Sequence, residues 1–403
     1  MLHLRQIRVN KKRPGTLQGC DTIANEGRTL ETRNSPDDRC SSAATADSET
    51  TRARVVTTES SDSTGRPRRP TIRDVARAAG VSVGTASKAL NGKGRLRPET
   101  RARVIREAEL LEFRPNDLIK SLIRGRSYTV GLVTTDYFGR FNMPVIAGIE
   151  DALGAAEILV FLCTVRDDPV RERNVVASLI AKQVDGIIVM GRRTDPRPPI
   201  SVGQSGIPVV YAFSRVTGGD AFCLAPDEDQ GACLATDHLI RLGRRHLAHI
   251  TGPSERESVK LRLEGMRRTV LDRGLDWSDE RCLSGEWSEE WGYDAVNQLL
   301  DADPAVDGIV CGSDIIARGV LDGLRERGRR VPDDVAVVGF DNWEIVAEHS
   351  RPPLTTIDMN LHDMGHEAAR RLLARLEGDR TSGTIRLPCS LIVRQSCGAT
   401  SIS

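Results

Sequence analysis

The chain has 403 residues, of which 39% are hydrophobic and 28% charged, with a formal net charge of +1. That length and balance predict two or three globular domains with ordinary cores. No run of about 18 apolar residues occurs, which argues against a membrane-spanning helix, and the N-terminus lacks the apolar stretch of a secretory signal, so a protein that stays in the cytoplasm is expected. Nine cysteines are scattered without metal-ligand spacing, a pattern that suits free thiols in a reducing compartment and no bound metal or other cofactor.

The near-neutral total hides a polarity along the chain. Residues 66–126 hold 16 Lys and Arg against 6 Asp and Glu, whereas the last 277 residues carry a net charge of about −10. Basic charge is concentrated in one short segment, as contact with phosphate requires.

Residues 1–69 are rich in Ser, Thr, Arg and Asp without sustained apolar periodicity, and predict a disordered extension. The string 71–92, TIRDVARAAGVSVGTASKALNG, then reads as two short helices joined by a tight turn. Thr71 and Asp74 suit the first helix start, Val75, Ala76 and Ala79 form an apolar stripe, Gly80 supplies the turn and Ser82 caps the second helix, expected from Val83 to Leu90. A third helix starts at Pro98, with Val104, Ile105, Ala108 and Leu111 expected to face inward. Residues 117–126 place Leu118, Ile119, Leu122 and Ile123 on one face of a helix too short to be stable alone.

From Ser127 the pattern becomes short β-branched runs alternating with amphipathic helices. YTVGLVTT, ILVFLCT, DGIIVMG and IPVVYAF read as four strands of one parallel sheet, and LAHIT, DGIVCGS and VAVVGFD as strands of a second. Two such lobes bind a small ligand at the C-terminal ends of their strands.

The helix-turn-helix string, and in order PVIAGIEDAL, VDGIIV, TDHLIRLGRRHLAHITGP, RRVPDDVAVVGFDN, RPPLTTI and LIVRQS, resemble the LacI/GalR family of bacterial transcription regulators over about residues 70–398. The resemblance implies a helix-turn-helix head (70–116), a hinge helix (117–126) and an α/β two-lobed periplasmic-binding-protein-like effector domain (127–400). It implies a homodimer on a near-palindromic double-stranded operator, with a small effector, by default a sugar acting as inducer. By family position Val83, Gly84 and Lys88 face base edges, while Ser82, Thr85 and Ser87 reach phosphates or adjacent bases. Thr71, Asn91, Arg95 and Asn116 complete the DNA-contact set, and Leu122 matches the leucine that pries open the central base step. Capping for the hydroxyls and a solvated charge for Lys88 are the competing readings.

For the effector cleft the resemblance points to Asp341, Arg262 and Trp287 in one lobe, and to Asp136, Phe141 and Phe213 in the other, with Ser313 beside Asp314. Several positions depart from the family. Phe213 stands where many relatives place an aspartate, Asn142 replaces an aromatic, Ser313 replaces an asparagine and Met359 a glutamine. These changes remove hydroxyl-reading groups and count against a plain hexose. A ligand-binding protein that does not regulate transcription and an enzyme are the competing classes. The complete head argues against the first, and the lack of a phosphate loop, nucleophile elbow or metal cluster argues against the second.

Overall fold

The computed structural model describes residues 70–92, 94–113, 126–135 and 139–399. The expected extension over 1–69, most of the hinge segment with Asn116 and Leu122, and Asp136 lie outside them.

The head is three helices: α1 (Ile72–Ala78), α2 (Val83–Leu90) and α3 (Pro98–Leu110). Its small core is built from Val75, Ala76, Ala79, Ala86, Ala89, Val104 and Ala108, with Val81 and Leu111 packed at its edge. Alanine at most of these positions lets the helices approach closely. Gly80, at φ +65°, makes the turn that brings α2 across α1. Pro98 opens α3, and Arg97 before it contributes no side-chain cap. One expectation fails here: Ile105 is 40% exposed rather than core, because Val104 and Ala108 already fill the inward face.

The first lobe holds a parallel sheet of β1 (Thr129–Thr134), β2 (Leu159–Thr164), β3 (Gly186–Met190), β5 (Val209–Ala212), β7 (Phe222–Pro226) and β13 (Gly383–Leu387), in the order β13-β7-β5-β3-β1-β2. A short parallel ribbon of β4 (Pro196–Arg197) and β6 (Arg215–Val216) lies beside it. Helices α4 (Asn142–Ala155) and α5 (Pro169–Ala181) connect its strands. The second sheet runs β14-β12-β11-β10-β8-β9, built from β8 (Leu247–Thr251), β9 (Cys282–Ser284), β10 (Gly308–Cys311), β11 (Ala336–Phe340), β12 (Thr355–Asp358) and β14 (Ser390–Ile392), with β14 alone antiparallel. Its helices are α6 (Glu228–Arg241), α7 (Glu257–Asp272), α8 (Glu289–Ala302), α9 (Asp314–Glu326) and α10 (Glu344–Ala347). Helix α11 (Leu361–Leu376) returns to the first lobe, where Gly365 and Gly148 let it pack on α4 backbone to backbone.

The sheets are larger than the four and three strands expected from sequence. The added strands include β7 and β13, which pair with each other, and the three short strands β9, β12 and β14. The chain crosses between lobes after β7, after β12 and after β13. These crossings are bonded side by side. Asp227 N–H donates to Leu387 O at 2.8 Å, and Cys389 N–H donates to Gln230 Oε1 at 2.8 Å. Asn360 Nδ2 donates to Pro388 O, also at 2.8 Å. Three crossing segments tied in this way form the connection between the two lobes.

Candidate functional site

Helix α2 presents the head's outer face. Ser82 is its N-cap: Thr85 N–H donates to Ser82 Oγ at 3.1 Å, and the two hydroxyls lie 2.9 Å apart. Asn91 closes the helix, its Nδ2 donating to Ser87 O at 2.9 Å. Ser82, Ser87 and Asn91 therefore carry local structural bonds as well as lying on the outward side. Val83 is 44% exposed although it is apolar, and Gly84 beside it is exposed too. The stem of Lys88 lies against Gly94, and its ammonium makes no ion pair among the described residues. Arg95 is exposed on the loop that follows, and Thr71 is half-buried directly before α1. Arg101 donates to the carbonyls of Gly92 and Gly94, fixing that loop.

A cleft of about 320 Å³ opens between the lobes. The groups that line it lie at a strand's C-terminal end, in the loop beyond or in the first turns of the helix that follows, as the parallel sheets require. Gly139–Asn142 follow β1, Arg192–Asp195 follow β3 and Phe213 follows β5. From the other lobe come Arg256, Ser258 and Arg262 after β8, Trp287 after β9 and Asp341 after β11. Of the sequence-predicted residues, Phe141, Phe213, Arg262, Trp287 and Asp341 are brought together. The Phe141 and Phe213 rings pair at 5.1 Å between centroids, and Phe213 holds φ +49° to face inward. Trp287 is 37% exposed and lies flat on Gly252, where any Cβ would overlap its ring.

Ser313, expected in the cleft, is not among the residues that line it. It is buried away from the lining, and its Oγ accepts from Ile316 N–H at 3.3 Å as the cap of α9. A short hydroxyl at a helix start is used by the helix itself.

The charged groups are cross-linked. Asp341 takes φ +114° at the end of β11 and meets Arg140 from the opposite lobe at 2.6 Å. Burial pushes its carboxyl up to about 6, against the pull of Arg140 and Arg262. Arg262 Nε donates to Glu228 Oε2 at 2.6 Å, Nη1 donates to Gly312 O, and its guanidinium stacks 3.6 Å from the Phe340 ring centroid. Asp195 reaches across from the first lobe. It accepts from Arg256 Nη1 at 3.2 Å and from Glu257 N–H at 3.0 Å, capping α7 from outside. Arg215 and Glu257 form a third inter-lobe ion pair. Sequence reasoning missed Arg140, Arg192, Arg193, Asp195, Glu228 and Arg256. Arg192 and Arg193 directly follow the predicted strand DGIIVMG, but the other four lie farther along the chain and carry no local signal.

Residues 71–116 match the model of the bacterial regulatory proteins of the lacI family, and residues 236–397 match the periplasmic binding protein-like domain. The HTH-type transcriptional regulator CelR of Thermobifida fusca is 34% identical over 82% of this chain and 99% of that protein. The chain belongs to the LacI family. It is a ligand-controlled DNA-binding regulator. Two solved family structures align with it: a CelR–cellobiose complex (TM-score 0.57, 32% identity, 81% of this chain and 100% of that one), and the lac repressor dimer bound to operator and an anti-inducer (TM-score 0.66, 26% identity, 82% and 100%). No described helix of this family member is long and apolar enough to cross a membrane.

Proposed function

We propose that this LacI-family chain is a homodimeric cytoplasmic repressor that catalyses no reaction. Its head (70–116) reads a near-palindromic operator through α2, a hinge segment (117–126) joins it to the body, and a sugar bound in the body (127–400) releases it from DNA. The observation that carries this reading is the cleft itself. Its lining comes from both lobes, and Arg140–Asp341 and Arg256–Asp195 join across it. A ligand seated there touches different groups when the lobes rock, so it binds the two states with different affinity, which is what shifts the equilibrium. A hundredfold loss of operator affinity needs a coupling of about 2.7 kcal/mol, within reach of two or three such contacts. The cellobiose held by the related CelR structure supports a sugar as the ligand class.

On the head, Thr71, Ser82, Val83, Gly84, Thr85, Ser87, Lys88, Asn91 and Arg95 form the proposed DNA face, and Phe141, Phe213, Arg262, Trp287 and Asp341 the proposed ligand face. Operator selection from random duplexes with the full chain, followed by titration with sugars and purines, tests the reading. Recovery of one inverted repeat that a sugar releases is the expected result. Tightening by a purine would make the ligand a corepressor, and failure to enrich any sequence would remove the operator-binding role.

A further inference from the structure

Among the described residues the cleft is lined by five arginines, Arg140, Arg192, Arg193, Arg256 and Arg262, against three carboxylates, Asp195, Glu228 and Asp341. Each carboxylate already faces an arginine: Glu228 meets Arg262 at 2.6 Å, Asp341 meets Arg140 at 2.6 Å and Asp195 meets Arg256 at 3.2 Å. Neutral sugars are gripped through carboxylate oxygens that accept their hydroxyls, and here those oxygens are partly engaged in advance.

Two guanidiniums are left over, on consecutive residues. Among the described residues Arg193 finds only Asp195, at 3.6 Å and shared with Arg256. Arg192 has Asp167 at 4.0 Å, a half-exposed carboxylate outside the lining. Their place is fixed. At Gly191, which precedes them, a Cβ would run into the Phe213 carbonyl and Ser214, so the chain turns tightly out of β3 beside the Phe141–Phe213 ring pair. The cleft thus has aromatic surfaces at Phe141, Phe213 and Trp287, and a concentration of unbalanced positive charge at the Arg192–Arg193 edge.

We propose, resting on the ligand-controlled reading above, that the effector is an anionic sugar whose phosphate or carboxylate sits against Arg192 and Arg193. Guanidinium forks match either oxyanion in a bidentate way and give charge-assisted bonds stronger than those to a hydroxyl. The aromatic rings cover the sugar body, and the ligand's oxyanion faces the positive charge of Arg192 and Arg193. A volume of about 320 Å³ admits a sugar derivative.

The test uses the full-length wild type and the R192Q/R193Q variant, whose melting temperature without ligand controls for folding. Tryptophan fluorescence, to which Trp287 contributes from within the cleft, is titrated with glucose, glucose 6-phosphate and glucuronate. Inorganic phosphate is the probe that does not depend on the sugar body, with all titrations held at one ionic strength. Expected is binding of at least one anionic sugar about tenfold tighter than glucose, with that preference lost in the double variant, and a thermal shift by phosphate present only in the wild type. The phosphate and uronate arms distinguish the two oxyanions. Glucose binding as tightly as its anionic forms, no binding by any anion, or an anion effect unchanged in the double variant would overturn the proposal. Release of the operator by a neutral sugar alone would sink the charge assignment and leave the regulator reading standing.

Discussion

Arg140, on the loop after β1, and Asp341, at the end of β11, meet at 2.6 Å across the cleft, one from each lobe. The Asp341 side chain is 3% exposed and that of Arg140 21%. The pair therefore sits where the lobes meet, on the cleft proposed above to take the ligand. It gives closure an electrostatic component that an open cleft lacks.

Asp341→Ala should uncouple ligand from DNA. Arg140 can rehydrate when its partner is removed, so the loss falls below the roughly 3–5 kcal/mol of a fully buried pair, and the fold survives. Operator titrations should show binding close to wild type without ligand and at least a tenfold higher ligand concentration for release. A variant that responds at the wild-type concentration would place the ligand elsewhere.

Asp314 predicts a pH dependence. Its Oδ2 accepts from Trp343 N–H at 2.7 Å and its Oδ1 from Thr356 Oγ1 at 2.5 Å, yet burial, then the charge of Asp341, pushes its carboxyl up to about 8. An acid raised above its unfolded value keeps a proton in the native state that the unfolded chain has released. Stability is then lost as pH rises towards the folded value. Buried His249, lowered to about 4 by desolvation, works in the opposite sense, but only below its ordinary 6.5. The clean window is pH 6.5 to 8. There the urea midpoint of the wild type should fall, and that of Asp314→Asn should stay nearly level. Equal slopes for the two would show that Asp314 is ionised throughout.

In the head, Lys88 and Ser82 separate readout from scaffolding. Lys88→Ala should weaken operator binding by about 1–3 kcal/mol and relax preference at one symmetric base pair. Ser82→Ala removes the hydroxyl that caps α2 and should cost about 1 kcal/mol of stability without changing which bases are preferred. Binding to a set of base-substituted operators distinguishes them. A uniform loss across the set for Lys88→Ala, with a smaller salt dependence, would make it a phosphate contact instead.

The head was legible in the sequence almost residue by residue. Its elements are fixed by neighbours in the chain: a glycine turn, a serine cap and a proline at the first position of α3. The central strands were legible for the same reason, as buried β-branched runs. What escaped depends on distant partners. Strand β13, Gly383–Leu387, is largely exposed and exists because it pairs with Phe222–Pro226, a relation no local pattern carries. Ile105 has the right spacing for core and faces out because smaller residues fill the space. Arg192 and Arg193 look like ordinary surface charge until the turn at Gly191 places them on the cleft. Ser313 has a local duty that the chain order also shows, since its hydroxyl caps the helix it begins.

The proposed homodimer leads to a prediction at the free edge of the first sheet. Strand β2 is its outer strand, and it exposes 70% of Leu159 and 42% of Phe161, with Val170 of neighbouring α5 55% exposed. Unpaired edges carrying large apolar side chains invite association, and a patch of this kind marks an interaction site more often than chance exposure does. A second copy packed there would bury these side chains on both sides of a twofold axis. L159D/F161D should convert the chain from twice its 44.1 kDa mass to the monomer in light scattering. Operator affinity should fall with it, because each half-site must then be bound independently. Since the edited positions lie on an exposed strand face, the melting temperature of the diluted protein should change little. A double variant that remains dimeric and keeps full operator affinity would move the interface to another face of the body.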